Sequence, residues 1–325
     1  MMRYLVKRLF YAVPILLGVN LLTFALFFVV NTPDDMARLQ LGTKRVTPEA
    51  IARWKAEHGY DEPLFYNPKA AGVDKITDTL FARKSAAMFL FDFGRSDDGR
   101  DIGQEIRTRM WPSLAIAVPV FIIGLATNIS FALLMIFFRG TYLDWAGLAL
   151  CILLMSISGL FYIIAGQFFI AKLWHLLPIS GYSGGIHALR FILLPVLVSI
   201  VAGLGSGARW YRTLFQEEIG KDYVRTARAK GLSEVRVLFG HVLRNGLIPI
   251  LTGAVAVLPL LFLGSLLTES FFGIPGLGSY TVDAIQAQDF AVVRAMVFLG
   301  SLLYIVGLML TDISYALADP RVRLG

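Results

Sequence analysis

Gly181-Tyr182-Ser183-Gly184-Gly185 has the spacing of a catalytic nucleophile. It matches G-x-S-x-G, where a serine on a strained strand-to-helix turn is held out to attack a carbonyl, and His175 and His187 lie close by as bases. That chemistry needs the sheet that makes the turn. Here the motif falls between two apolar runs, so a flexible glycine-serine turn is expected instead. Metal chemistry has no better footing. His58, His175, His187 and His241 lack ligand spacing, and no H-E-x-x-H is present. The single cysteine, Cys151, sits inside an apolar run, which rules out an intrachain disulfide and a Cys-based metal site. No G-x-x-x-x-G-K-[ST] loop occurs, so the chain is not expected to bind or hydrolyse ATP by itself or to carry catalytic residues.

Two ionisable residues stand out because each lies in or at the edge of an apolar run, where charge is expensive. Glu269 precedes Ser270-Phe-Phe-Gly-Ile-Pro-Gly-Leu-Gly278, a rigid, glycine-punctuated re-entry. It is either a polar group in a path or gate, or a carboxylate that pins this loop to backbone N–H groups. Asp312 is expected to bond to a neighbouring span or to Arg321 and Arg323. Gly203-x-x-x-Gly207 is expected to let another helix approach closely.

The elements that position these residues are membrane helices. The chain is 56% hydrophobic and 16% charged, against roughly 45–50% and about 25% in soluble domains. Six apolar runs are long enough to cross a bilayer: residues 9–30, 112–138, 145–171, 191–208, 246–268 and 295–316. The first exceeds a secretory h-region and leads into Asn31-Thr32-Pro33-Asp34 with no A-x-A site, so it should be retained as a span. The fold class expected is therefore an all-α polytopic membrane protein with six transmembrane helices.

Basic residues set the orientation. With both termini cytoplasmic, the inside segments carry 14 Lys/Arg and the short outside loops only Lys172, Arg190 and Arg294. The net charge of +7 thus gathers on the cytoplasmic face. That points to lipid headgroups or an acidic cytosolic partner, and away from nucleic acid. The division expected is a tail and first span over 1–30, an external segment over 31–111, a five-helix core over 112–316 with a cytoplasmic loop at 209–245, and a cytoplasmic tail over 317–325.

The external segment contains one clear helix, with Thr47 as N-cap, Pro48 at the first position, and His58-Gly59 closing it. It is expected to be a small cap over the outer mouth, a docking surface for an external partner, or both. The cytoplasmic loop is more informative. From Glu217 to Lys230 acids come first and bases last, matching a helix dipole, and Gly231 stands where a helix-ending glycine belongs. Ile219, Tyr223 and Ala227 recur every four residues as an apolar stripe for a neighbour to cover. Ser233 can cap a second helix carrying Val235, Leu238, Phe239 and Val242 and ending at Asn245-Gly246. The alternative is an ordinary solvated basic loop. The stripe, the break and the continuity with span five favour a mechanical elbow.

Tyr223-Val-Arg-Thr-Ala-Arg-Ala-Lys-Gly231, followed by His241-Val-Leu-Arg-Asn245 and Pro249, resembles the cytoplasmic signature of the inner-membrane permeases of bacterial oligopeptide/dipeptide ABC importers. The opening Met2-Arg-Tyr-Leu-Val-Lys-Arg-Leu9, the Phe91-Asp-Phe-Gly-Arg-Ser96 stretch, Leu177-Pro-Ile-Ser-Gly181, the Glu269 loop and Asp319-Pro-Arg-Val-Arg323 resemble it too. The resemblance implies a type I importer permease architecture with an extended periplasmic segment after the first helix, in the bacterial inner membrane. It implies a second homologous permease subunit in a heterodimer, two cytosolic ATPase subunits that bind ATP and Mg, and a periplasmic solute-binding protein. It also implies that the 217–231 helix couples to an ATPase subunit through Ile219, Tyr223, Arg225, Thr226, Ala227, Arg228, Ala229, Lys230 and Gly231.

The family's loop pattern E-A-A-x-x-x-G reads Arg225-Thr226-Ala227 here, span three has Ser158-Gly159 where many relatives place a proline, and residues 64–90 match nothing in the resemblance. Peptides are the commonest cargo implied, with nickel, glutathione, haem or peptide antibiotics as alternatives. A stand-alone secondary transporter would show internal repeats and spans broken at the midplane, and neither is evident in the sequence. Peptides expose many backbone donors and acceptors, so a roomy polar seam is expected, lined by some of Asn128, Ser130, Gln167, Ser265 and Thr268, with Glu269 near its outer mouth.

Overall fold

A computed structural model describes residues 2–42 and 46–318, whose regular elements are all helices, with no strand among them. In chain order the main helices are α1 (Met2–Ala25), α2 (Pro33–Leu41), α3 (Pro48–His58), α4 (Ile102–Phe137), α5 (Tyr142–Ser156), α6 (Gly159–Gly166), α7 (Ala188–Ile219), α8 (Asp222–Ala229), α9 (Glu234–Leu263), α10 (Leu266–Phe272), α11 (Leu277–Ala287) and α12 (Phe290–Ala318). Five stretches among the described residues are long and apolar enough to cross a membrane singly, and a bent pair, α5 with Gly159–Leu173, makes a sixth. The tail motif from Asp319 onward, with Arg321 and Arg323, lies outside the described residues.

Contacts divide the chain into two units. The first holds residues 2–109 and 280–309. Its core joins Phe24 and Phe28 at the end of the first span to Met36, Ile51, Trp54, Tyr60 and Leu80, so the segment after α1 packs around the end of that span. Local caps fix the helices there. The Thr32 hydroxyl accepts from Asp35 N and the Asp35 carboxylate accepts from Thr32 N, a reciprocal box that starts α2. The Thr47 hydroxyl accepts from Ala50 N at 3.3 Å, and Gly59 ends α3 at φ +62°, as its sequence predicts.

The second unit holds residues 110–279 and 310–318 of those described. α5 lies against α7 so closely that a Cβ on Gly205 would stand 2.6 Å from the Cys151 carbonyl oxygen. The same pair is locked by a fork: Arg212 Nε and Nη2 donate to the two Asp144 oxygens, each at 2.9 Å. The small residues that permit close approach are thus Gly205 and Gly207. Gly207 faces the Asn128 side chain of α4, whereas Gly203, expected to share this role, has open space around it.

Several helix bounds depart from the apolar runs: α7 runs on to Ile219 and α9 starts back at Glu234. α4 begins ten residues ahead of residue 112, because Asp101 caps it by accepting from Gln104 N at 2.8 Å and Glu105 pairs with Arg109 one turn on. Span three is broken by 90° between α5 and α6, with Ile157 and Ser158 extended. The run reads as continuous because both halves are apolar. The break comes from a backbone change at a Ser-Gly step that hydrophobicity does not register.

Candidate functional site: an elbow and a cavity joined by one helix

Glu217 and Glu218 belong to the end of α7, which stops at Ile219; Gly220 and Lys221 turn the chain, and α8 starts at Asp222. The single helix expected from 217 to 230 is therefore two, because Lys221 is extended (φ −75°, ψ 154°) and serves as N-cap. The corner is cross-braced. Tyr223 Oη donates to Glu218 at 2.7 Å, and Lys221 pairs with the same carboxylate. Burial, reinforced by that carboxylate, pushes the Tyr223 phenol up to about 12, so it remains a donor at physiological pH. At the far end Gly231 sits at φ +77°, its N–H donating to Arg228 O at 2.9 Å while Leu232 N–H reaches Ala227 O at 3.3 Å. Arg228 then forks onto Glu234 at the start of α9, with Nε to Oε1 at 2.7 Å and Nη2 to Oε2 at 3.1 Å.

The apolar stripe faces inward. Ile219 and Ala227, with Val224, are buried against Phe215, Val237, Leu238, Val242 and Ile250, and Tyr223 packs at the edge of the same cluster. The chain covers its own stripe. What α8 leaves exposed is Asp222, Arg225, Thr226 and Ala229, continued by Lys230. This corrects the expectation that Ile219, Tyr223 and Ala227 are free for a partner. The cause is the turn at Gly220, which folds α8 back onto α7 and α9. Asn245-Gly246 does not end a helix either. Gly246 lies inside α9, where a Cβ would stand 2.7 Å from the Phe215 ring, so this glycine serves contact rather than termination.

The other end of α9 reaches a cavity of about 370 Å³, walled by Val257, Leu260 and Leu261 from α9 and by Ile116, Val120 and Phe121 from α4. Its polar lining is Ser113, Ser199, Ser265, Thr268 and Glu269. Ser265 caps α10 by accepting from Thr268 N at 3.3 Å. Glu269 is 1% exposed; Oε1 accepts from Ser265 N at 3.2 Å and Oε2 from Ser279 N at 3.0 Å, with the Ser113 hydroxyl and the Gly278 N–H as further donors. A Cβ on Gly276 would stand 2.3 Å from Glu269 Oε2, so the loop can wrap the carboxylate only with glycine there. Glu269 thus pins the loop, the second of its two expected roles, from a position on the cavity wall.

The other seam residues do not line this cavity. Gln167 donates from Nε2 to Ile179 O (3.1 Å) and Phe271 O (2.9 Å), tying the chain after α6 to α10. Asn128 lies against Gly207, and Ser130 is exposed on α4. Ser113 and Ser199 were not singled out by sequence, since a lone serine within a long apolar run carries no periodic signal. Gly181-to-Gly185 is irregular chain, tied by Gly181 N to Phe272 O at 2.8 Å, and lacks the strand its serine would need for catalysis.

Comparison with known proteins agrees with this anatomy. The family described as binding-protein-dependent transport system inner membrane component matches residues 4–324. The chain is 32% identical to a protein of Brucella abortus (strain 2308) whose name describes a peptide transport system permease, over 98% of each chain. It is 31% identical to the di/tripeptide transport system permease protein DppB of Pseudomonas aeruginosa (strain UCBPP-PA14), over 99% of each. It is 28% identical to the dipeptide transport system permease protein DppB of Escherichia coli (strain K12), again over 99% of each. A match from residue 4 to residue 324 spans both units and every element named above, and the chain belongs to the family of inner membrane components of binding-protein-dependent transport systems.

Proposed function

We propose that this chain is one of two homologous permease subunits of an ABC importer, forming with its counterpart a path for di- and oligopeptides. In this reading a periplasmic solute-binding protein delivers the cargo and two cytosolic ATPase subunits, which bind ATP and Mg, drive it. The cargo class is carried over from the relatives' names. The observation that carries the mechanism is α9: one helix runs from the elbow to the cavity wall. Coupling needs an element whose position both sites bias. A displacement of α8 by an ATPase subunit passes through the Arg228–Glu234 fork and the shared core into α9, and moves Val257, Leu260 and Leu261 against α4 and α10. The face met by the ATPase is Arg225, Thr226, Ala229 and Lys230. Ser199 and Ser265, the lining serines that are not buried, offer hydroxyls to passing peptide groups, weakly enough to release them.

The membrane orientation in this reading places both termini in the cytoplasm. A cysteine introduced at Lys75 should react with an impermeant thiol reagent added outside, and one at Arg228 should not; the reverse pattern refutes the orientation. For function, deleting the gene should abolish uptake of a labelled dipeptide, restored by the wild-type chain. Undiminished dipeptide uptake in the deletion strain would refute the cargo.

A further inference from the structure

An apolar groove of about 240 Å³ runs along the hairpin of α4 and α5. Leu134 and Phe138 from α4 and Leu143, Ala146 and Leu150 from α5 wall it, and buried Met135 forms its floor. The lining holds no charged or hydrogen-bonding side chain, so only hydrocarbon fits it without stranding a polar group. The lining residues fall within 131–138 and 143–150, which takes the groove along both helices for about two turns, roughly 10 Å. A volume of about 240 Å³ spread over that length makes a slot much narrower than an α-helix, about 10–12 Å across with its side chains.

The mouth of the slot has a different chemistry. Tyr142 and Trp145, 92% and 69% exposed, stand in the first turn of α5, and amphipathic aromatic rings at the end of a span mark headgroup level. Arg139 is exposed in the turn between the helices, next to the lining residue Phe138. The carboxylate at this turn is Asp144, which is already committed: the Arg212 fork takes both oxygens, and Gly140 N donates to it at 3.2 Å. The Arg139 guanidinium is left with no hydrogen bond or ion pair among the described residues. One unspent positive charge therefore stands at headgroup depth beside a slot that accepts only hydrocarbon.

We propose that this groove is a binding site for an anionic phospholipid, with one acyl chain lying in the slot between α4 and α5 and the phosphate at the Arg139 guanidinium. A soluble anion would leave the slot empty, and a lipid without net charge would leave Arg139 uncompensated. The site depends neither on the cargo nor on the orientation of the chain, so its occupancy is read by binding and not by uptake.

The test is native mass spectrometry of the purified full chain incubated with dioleoyl phosphatidylglycerol, with dioleoyl phosphatidylcholine, and with dihexanoyl phosphatidylglycerol, whose tails are too short to fill the slot. The expected result is one retained copy of the long-chain phosphatidylglycerol, held about fivefold more tightly than the choline lipid, the preference that one basic residue confers at a lipid surface. The short-chain form should be lost. Arg139→Gln should erase the headgroup preference. Ala146→Trp, at an exposed position on the wall, should weaken both long-chain lipids by at least about tenfold, since excluding two methylenes is already worth that much. Equal retention of the two headgroups by the wild-type chain, or retention that Ala146→Trp leaves unchanged, overturns the proposal. So does loss of the lipid when the chain is assembled with a second permease subunit, which would make the slot a subunit contact.

Discussion

Ala227 and Ala229 are two residues apart on α8 and lie on opposite faces, so the same substitution at each separates the two jobs of the elbow. Ala227 is 4% exposed in an apolar cluster. An unpaired charge placed there costs about 3–5 kcal/mol, a large share of the roughly 5–15 kcal/mol that holds a domain folded. Ala227→Glu should therefore lower the melting temperature of the purified chain by on the order of 10 °C. Ala229 faces out. Glutamate there should change stability by no more than about 1 kcal/mol, the larger part from a negative charge near a helix C-terminus. If this face seats in an ATPase subunit, Ala229→Glu places a charge in the contact and should release that subunit while the chain melts normally. The assay is thermal unfolding in detergent beside co-purification with tagged ATPase subunits. The reasoning is refuted if Ala227→Glu melts like wild type yet loses the ATPase, while Ala229→Glu keeps it; the stripe would then be the docking face after all.

Gly231→Ala meets no steric obstacle, since no atom lies within 4 Å of a Cβ there, yet φ +77° costs a side chain roughly 1–2 kcal/mol. Uptake should fall at normal membrane levels, more with Val than with Asn; equal uptake by all three variants would show that the angle between α8 and α9 is unimportant. Glu269→Gln puts an amide N–H₂ where a backbone N–H now donates, losing at least one charge-assisted bond of about 1.5–3 kcal/mol. Greater protease sensitivity of the loop around residues 273–279 should accompany reduced uptake, and unchanged sensitivity would deny Glu269 its pinning role.

Much of this architecture was legible in the sequence because it rests on local rules. Thr47, Pro48 and Gly59 bound α3 where cap chemistry puts them, Gly231 takes the left-handed position its place in the pattern demands, and the apolar runs mark the spans. The misses share a cause. Periodicity says which side of a helix is apolar but not what covers it, so the stripe of Ile219, Tyr223 and Ala227 pointed equally to a partner or to the chain's own α9. Asn245-Gly246 has the composition of a stop and the function of a contact, and only the ring of Phe215 distinguishes them. The polar site was half visible. Ser265, Thr268 and Glu269 are close in sequence and meet in space, whereas Asn128, Ser130 and Gln167 share only polarity and lie elsewhere.

The bend in span three constrains the lipid. A helix broken inside a hydrocarbon layer strands carbonyls at the end of one half and N–H groups at the start of the other, and hydrocarbon satisfies neither. Tyr162 Oη answers one of them, Leu154 O, at 2.8 Å. Around the break Met155, Ile157 and Phe161 are 47%, 41% and 65% exposed in the single chain, apolar enough to pass for an acyl-chain contact. The backbone beneath them forbids that assignment. Where the 155–161 corner lies at hydrocarbon depth, its unpaired backbone groups call for water or another protein surface in place of a lipid tail.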